Sequence, residues 1–255
     1  MKEAIKNIFF KIWYWYISTI DKKAEVIFMN YGYSSNSETL RLNIEDEFNR
    51  YSIQLYHHTA TGVDIKGKDI LEVGCGRGGG LSYVNNYLSP KNVTGVDLNK
   101  KAIQFCNKHY KRTNNNFVQA DAQKLPFADN SFDVVLNVES SHRYPQVDEF
   151  LNEVYRVLKP DGVLLFTDFR QTKDFDLLHS QIKNAKFEFI KKEDITNNVV
   201  ESLSLSTSER TSLINKMVPS FLRDLAHNFA GTKGSTTYNR FVSRYFVYVN
   251  YVLKK

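Results

Sequence analysis

Asp69-Ile-Leu-Glu-Val-Gly-Cys-Gly-Arg-Gly-Gly-Gly80 is a short apolar strand running straight into glycines, with a helical pattern after it. Glycine lets the backbone turn tightly and come close to a ligand without a Cβ in the way. Gly74, Gly76 and Gly79 also satisfy the spacing of a dinucleotide-binding turn, so the glycines alone leave two ligand classes open. The acids on either side separate them. Glu72, two residues before Gly74, would face a dinucleotide's pyrophosphate and repel it. A carboxylate there suits a ligand that carries an ammonium and a sulfonium. Asp97, which closes Val93-Thr-Gly-Val-Asp97, is placed to accept both hydroxyls of a ribose.

Outward from this stretch the chain alternates strand and helix. Phe117–Ala120, Phe132–Asn137, Gly162–Asp168 and Phe187–Lys191 are further short apolar runs, several with helical patterns between them. That order predicts an α/β fold with a mostly parallel sheet. A mainly helical stretch over 194–243 precedes a last strand, Tyr245–Leu253, which fits an antiparallel strand added at the edge. Residues 1–65 read as helical: an aromatic helix, a turn at Asn30–Ser35 and a helix from about Glu38 to Thr61. The expected units are thus a helical N-terminal cap (1–65), a ligand-binding core (66–193), a helical cap insertion (194–243) and the closing strand (244–255).

A chain of 255 residues, 42% hydrophobic and 24% charged, has enough apolar material for a sizeable core. The 14% aromatic content suits that core and also suits an apolar ligand. The net charge of +6 is spread along the chain without a long basic tract, as a lysine-rich solvated surface would be. Cys75 and Cys106 make neither a disulfide framework nor a metal spacing, so the expectation is a reduced, cytoplasmic protein with no bound metal. Ile8–Ile20 is apolar and aromatic, but it is interrupted by Lys11 and too short to span a bilayer. It suits a lid, a contact with a second subunit, or peripheral contact with a membrane surface.

The remaining motifs complete a pattern. Asp121-Ala122 precedes Leu125-Pro-Phe127, Ser131-Phe-Asp133 opens the fourth strand, and Val157-Leu-Lys-Pro-Asp-Gly162 precedes the fifth. With Glu72-x-Gly-x-Gly76 and Asp97, these resemble, in order, the Rossmann-like class I S-adenosylmethionine-dependent methyltransferases. The resemblance implies a seven-stranded sheet and S-adenosyl-L-methionine as cofactor. Its binding would fall to Glu72, Gly74, Cys75, Gly76 and Gly78 in the loop, Asp97 and Leu98, Asp121 and Ala122, and Asn137 and Val138, with Tyr33 closing over it. Asn49–Thr61, Cys75–Gly80, Asn137–His142 with Tyr144-Pro145, and Phe221-Leu-Arg223 resemble, more narrowly, the phthiotriol/phenolphthiotriol dimycocerosate methyltransferases. That likeness implies methylation of a hydroxyl on a hydrophobic small molecule such as a lipid or polyketide. Arg77 stands where that family leads one to expect His, and Arg143 where it leads one to expect Cys. The reaction class carries over; the particular acceptor does not.

Methyl transfer is an in-line displacement in which alignment and desolvation provide most of the acceleration. A hydroxyl acceptor must also lose its proton, so a base helps. His142, just past the fourth strand at the carboxyl edge of the sheet, is the candidate base; the alternative is a histidine capping a loop. Glu139 either contacts the cofactor's methionine end, orients His142, or starts a helix. His57 and His58 are adjacent on a helix and so lie on different faces. Three other readings remain: C-methylation of an isoprenoid or quinone, a cofactor-binding scaffold without turnover, and a dehydrogenase. A nucleic-acid substrate is disfavoured, because Asn137-Val-Glu-Ser140 replaces the Asp/Asn-Pro-Pro-aromatic signature of enzymes that methylate DNA amino groups.

Overall fold

The structure, a computed structural model, describes residue 21, residues 24–35 and residues 40–255. The aromatic stretch Ile8–Ile20 lies outside the described residues. The strands are β1 Asp69–Val73, β2 Asn92–Asp97, β3 Asn115–Gln119, β4 Phe132–Val138, β5 Leu158–Gln171, β6 Glu188–Asp194 and β7 Phe246–Lys254. They form one seven-stranded sheet in the order β3-β2-β1-β4-β5-β7-β6. Pairing is parallel from β3 to β5. The antiparallel strand β7 lies one place in from the rim, between β5 and β6.

The chain order reverses between β1 and β4. In open α/β sheets that switch point, at the carboxyl ends of the strands, opens a crevice for ligands. The glycine loop leaves β1 there, and Glu139 follows β4.

Both faces of the sheet are covered, which is why its strands read as continuous apolar runs. On one face Ile70, Val93 and Leu136 pack with Ile53, Leu55 and Leu81 of the helices α1 (Arg50–Ala60) and α2 (Gly79–Tyr87). On the other, Leu71, Val135 and Leu164 pack with Phe150, Val154 and Ile182. Those belong to α4 (Val147–Val157) and α5 (Phe175–Asn184); α3 (Lys100–His109) lies between β2 and β3 in the chain. The insertion supplies α6 Thr196–Leu205, α7 Thr207–Met217, α8 Arg223–Ala230 and α9 Thr236–Val242. Among the described residues no helix is long and apolar enough to cross a membrane.

The helix expected from about Glu38 starts later, as a 3-10 turn over Ile44–Asn49 that leads into α1. Side chains take up the backbone groups ahead of it. Arg50 donates to the Leu40 carbonyl at 3.1 Å, and the Asn43 N–H donates to the Tyr87 hydroxyl at 3.0 Å. Residues 24–35 likewise form no helix; they run as an irregular strap across the carboxyl edge.

Gly80 marks how closely α1 and α2 approach. A Cβ there would stand 1.9 Å from the Tyr56 ring. Gly80→Ala should therefore destabilise the protein by about 1–3 kcal/mol, lowering Tm by roughly 3–10 °C. An unchanged melting temperature would refute this packing.

Candidate active site

A cavity of about 880 Å³ occupies the switch point. Gly74, Cys75 and Gly76 line one side, Asp97 and Leu98 another, and Asp121 and Ala122 a third. Val138, Glu139 and Ser140 close it at the end of β4, while Ile27–Asn30 of the strap and Tyr56 of α1 complete its wall. Gly74 and Gly76 have φ of +81° and +53°, a left-handed backbone that glycine adopts without strain. The Gly74 and Cys75 N–H groups both donate to the Val96 carbonyl, at 2.8 and 3.0 Å, which folds the loop over β2.

Asp97 accepts from the Gly76 N–H at 2.8 Å through one oxygen and from the Asn99 N–H at 2.8 Å through the other. Burial raises its pKa, and those two donors oppose the rise. Asp121, at the rim, accepts from the Gln123 N–H at 2.9 Å.

Glu72 lies one layer beneath the cavity floor and is fully buried. One oxygen accepts the Tyr56 hydroxyl at 2.6 Å, and the other has no hydrogen-bond partner among the described residues. Burial pushes its pKa up to about 8, the Tyr56 hydrogen bond works against that, and the nearby Asp97 adds to it. An orphaned, buried carboxyl oxygen under a glycine-rich cradle fits a ligand whose cationic end would draw off its proton and pair with the carboxylate.

Glu139 sits at φ +51° and is partly buried. Its carboxylate accepts the Tyr31 N–H at 2.8 Å and the Tyr248 hydroxyl at 2.8 Å. Burial outweighs both and carries its pKa up to about 8. The strap is held from the other side by Arg210 on α7. The guanidinium donates to the carbonyls of Asn30 and Tyr31, both at 3.1 Å, and to that of Ala230 at 2.9 Å.

His142 stands on a 3-10 turn, Ser141–Arg143, between β4 and α4. Its Nδ1 pairs with Asp168 at 2.7 Å, and its backbone N–H donates to the same carboxylate at 2.9 Å. Asp168, fully buried in β5, also accepts the Ser141 hydroxyl at 2.6 Å and faces Arg170 at 3.1 Å. Burial opposes the ionisation of Asp168, but His142, Arg170 and these donors outweigh it and hold the carboxyl far below its usual range. For His142 burial is the largest influence and lowers its pKa, against the pull of Asp168. The imidazole is therefore neutral near pH 7. A carboxylate can only accept, so Nδ1 carries the proton and Nε2 keeps its lone pair.

Several expected site residues do not line the cavity. Asn137 braces the floor instead: its side-chain amide donates to the Val73 carbonyl at 2.9 Å and to Ser140 Oγ at 2.8 Å. Gly78, at φ +76°, turns the chain into α2 beneath Tyr110. Tyr33 is turned away, its ring stacked on His58 at 4.3 Å. The backbone reason is Gly32, whose φ of +81° breaks the extended alternation that would put Tyr31 and Tyr33 on one side. His142 is not itself a lining residue; its ring packs 4.4 Å from Phe169, while Arg143 on the same turn reaches the cavity. Cys75 is buried beside Cys106, a contact that, with burial, raises its thiol well above the usual range. Tyr56, Asp168 and Arg210 join the site from distant parts of the chain. Asp168 alone carried a readable cue, an acid at the end of an apolar strand like Asp97.

Residues 71–166 match the family model described as "Methyltransferase domain". The chain is 43% identical over 215 residues to the fatty-acid O-methyltransferase of Mycolicibacterium smegmatis, covering 84% of this chain and 78% of that protein. It is 38% identical over 229 residues to the phthiotriol/phenolphthiotriol dimycocerosates methyltransferase of Mycobacterium tuberculosis, covering 88% and 85%. Among solved structures, the cyclopropane synthase MmaA2 from Mycobacterium tuberculosis superposes with a TM-score of 0.71 at 14% identity, covering 94% of this chain and 97% of that one. A putative sarcosine dimethylglycine methyltransferase from Galdieria sulphuraria gives 0.72 at 13% identity, covering 98% of both. The chain belongs to the class I S-adenosylmethionine-dependent methyltransferases and is an enzyme of methyl transfer.

The raised Glu72 carboxyl makes a prediction on ligand-free protein. In the folded state Glu72 holds its proton up to about pH 8, whereas unfolded chains release theirs near pH 4.3. The folded state thus binds more protons in between, and stability falls as pH rises through that window. Glu72→Gln removes this dependence. Its Tm relative to the parent should climb from pH 5 to 8 and level off above. A difference independent of pH would overturn the assignment.

Proposed function

We propose that the enzyme methylates a hydroxyl of a hydrophobic small molecule, with His142 as general base and Asp168 as the group that orients it. The observation that carries this reading is the 2.7 Å pair between His142 Nδ1 and a fully buried Asp168. It leaves Nε2 unprotonated and fixed in direction, which is what removal of an alcohol's proton requires. Bound S-adenosyl-L-methionine supplies an electrophilic methyl group and a neutral thioether leaving group.

The chain's own residues then divide the work. Asp97 holds the ribose hydroxyls and Asp121 the adenine amino group, while Glu72 places negative charge under the cationic end of the donor. The loop glycines bring backbone close to it. Tyr56 and the strap exclude water, so the displacement runs in a dry site. Glu139 holds the strap and the start of the turn that carries His142, rather than acting on the acceptor. Both relatives are named for lipid acceptors, which supports an apolar acceptor here. Two buried free thiols suit a reducing cytoplasm.

Purified enzyme should be assayed against a long-chain alcohol and the fatty acid of the same length. A carboxylate is already ionised at neutral pH and needs no base. His142→Ala should lower kcat toward the alcohol by about 10²–10⁴ while leaving S-adenosylhomocysteine affinity unchanged. In the parent, activity should fall as pH drops through a value below that of an ordinary histidine, because burial lowers the pKa of His142. Asp168→Asn removes the charge that raises that pKa, so the acidic limb should move to still lower pH while kcat declines. Methylation of the acid alone, indifferent to His142→Ala, would sink the hydroxyl reading.

A further inference from the structure

A second hollow, of about 150 Å³, lies on the far side of the strap. Its apolar lining comes from three separate segments, with Val26 from the strap, Phe48 from the 3-10 turn before α1, and Leu213, Ile214, Met217 and Phe229 from α7 and α8. Phe28, Met29 and Asn30 line both this hollow and the donor cavity, so one thickness of chain divides them. Charged groups in its wall are already engaged. Arg210 donates to strap carbonyls and to Ser206 Oγ, and Glu25 pairs with Lys216 at 2.5 Å.

Interiors pack densely, and empty apolar space forfeits contacts on every wall. A mostly apolar hollow of about 150 Å³ has room for a benzene-sized group, on the order of six carbons. Its position gives direction to that capacity. Tyr31 lines the hollow, the Tyr31 ring lies 5.6 Å from Phe169, and Phe169 lies 4.4 Å from His142. Base, aromatic pair and hollow therefore form a continuous row. The part of the dividing wall that can move is Met29, an unbranched thioether whose Cε reaches to 3.3 Å from where a Gly76 Cβ would stand.

We propose that this hollow receives the alkyl tail of the acceptor while its reacting oxygen stands at His142. The inference rests on the reading that the acceptor is an apolar hydroxyl compound, and it adds where its chain goes and how much of it is measured. Substrate choice by chain length is then a property of α7 and α8, far in sequence from the glycine loop.

The test is binding of straight-chain alcohols, 1-butanol to 1-decanol, to full-length enzyme saturated with S-adenosylhomocysteine, with methyl ether formation from the same alcohols followed in parallel on enzyme supplied with S-adenosyl-L-methionine. Affinity should rise about fourfold per added methylene and then level off once the hollow is filled. Leu213→Trp, and separately Ala226→Leu, occupy the hollow without touching the donor cavity. Each should weaken 1-decanol at least tenfold, leave 1-butanol and S-adenosylhomocysteine unchanged, and bring the plateau to shorter chains. Equal weakening of both alcohols, no weakening, or no alcohol binding in the parent would overturn the proposal. Chain-length-dependent binding that the fillings abolish, without any methyl ether formed, would sink the hydroxyl reading and leave the hollow standing. Methyl ether formation with affinity insensitive to chain length would do the reverse.

Discussion

Glu139 places a partly buried carboxyl group where β4 leaves the sheet, and satisfying its oxygens organises the architecture around it. Its backbone N–H donates to the Thr167 carbonyl of β5 at 2.7 Å, which locks a left-handed residue in place. Its carboxylate draws in Tyr248 of β7 and the Tyr31 N–H of the strap. Arg210 grips the Tyr31 carbonyl, so residue 31 is fastened at both its N–H and its carbonyl, to a carboxylate on one side and a guanidinium on the other. Hydrogen bonds to charged groups are about twice as strong as neutral ones, and low dielectric strengthens them further. Removing either partner would leave a buried charge uncompensated. The strap is thereby pinned over the carboxyl edge. The Ser141–Arg143 turn, two residues past Glu139, is held against Asp168.

A second clamp fixes the strap's other end. Arg77, in the glycine loop, is fully buried and pairs with Asp21 at 3.2 Å while lying over the Phe105 ring at 4.0 Å. Asp21 also accepts the N–H groups of Glu25 and Val26 at 3.0 and 2.8 Å. A buried ion pair contributes little net stability, since desolvation offsets most of its attraction. What this one supplies is register. It ties the chain before the strap to the loop that approaches the donor and to α3. The departure from the resembling family at position 77 thus has a partner elsewhere in the chain.

Legibility in the sequence followed the distance over which each feature is determined. The strands showed as apolar runs because each is buried by its immediate sheet neighbours on both faces. The glycine loop, Asp97 and Asp121 were readable as cavity-lining residues because their positions are set within a few residues of the strand ends that carry them. Tyr33 was misplaced because the direction of a side chain after Gly32 depends on one backbone dihedral that no pattern of residue types reveals. The helix expected from Glu38 began late for a similar reason: Arg50 and Tyr87 satisfy backbone groups that a helix would otherwise have used. Asp168, Tyr56 and Arg210 reach the site across 26, 16 and 179 residues of chain from the groups they bind, His142, Glu72 and Tyr31. Nothing local announces such a meeting.

That division separates what a fold can say about donor and acceptor. The donor side is built from one contiguous stretch, β1 through the turn after β3, together with the carboxyl end of β4. Its geometry follows from a sheet order that many chemistries share, so likeness of fold alone is silent on what is methylated. On the proposed reading the acceptor side is assembled from the strap, α1 and the insertion, segments outside the sheet. His142 stands on the turn after β4, its ring packed on Phe169 of β5, and Phe169 in turn packs on Phe241 of the insertion. If the proposed placement of the acceptor tail holds, a substitution in α7 or α8 changes the acceptor while the cavity beside the glycine loop and the His142–Asp168 pair stay in place.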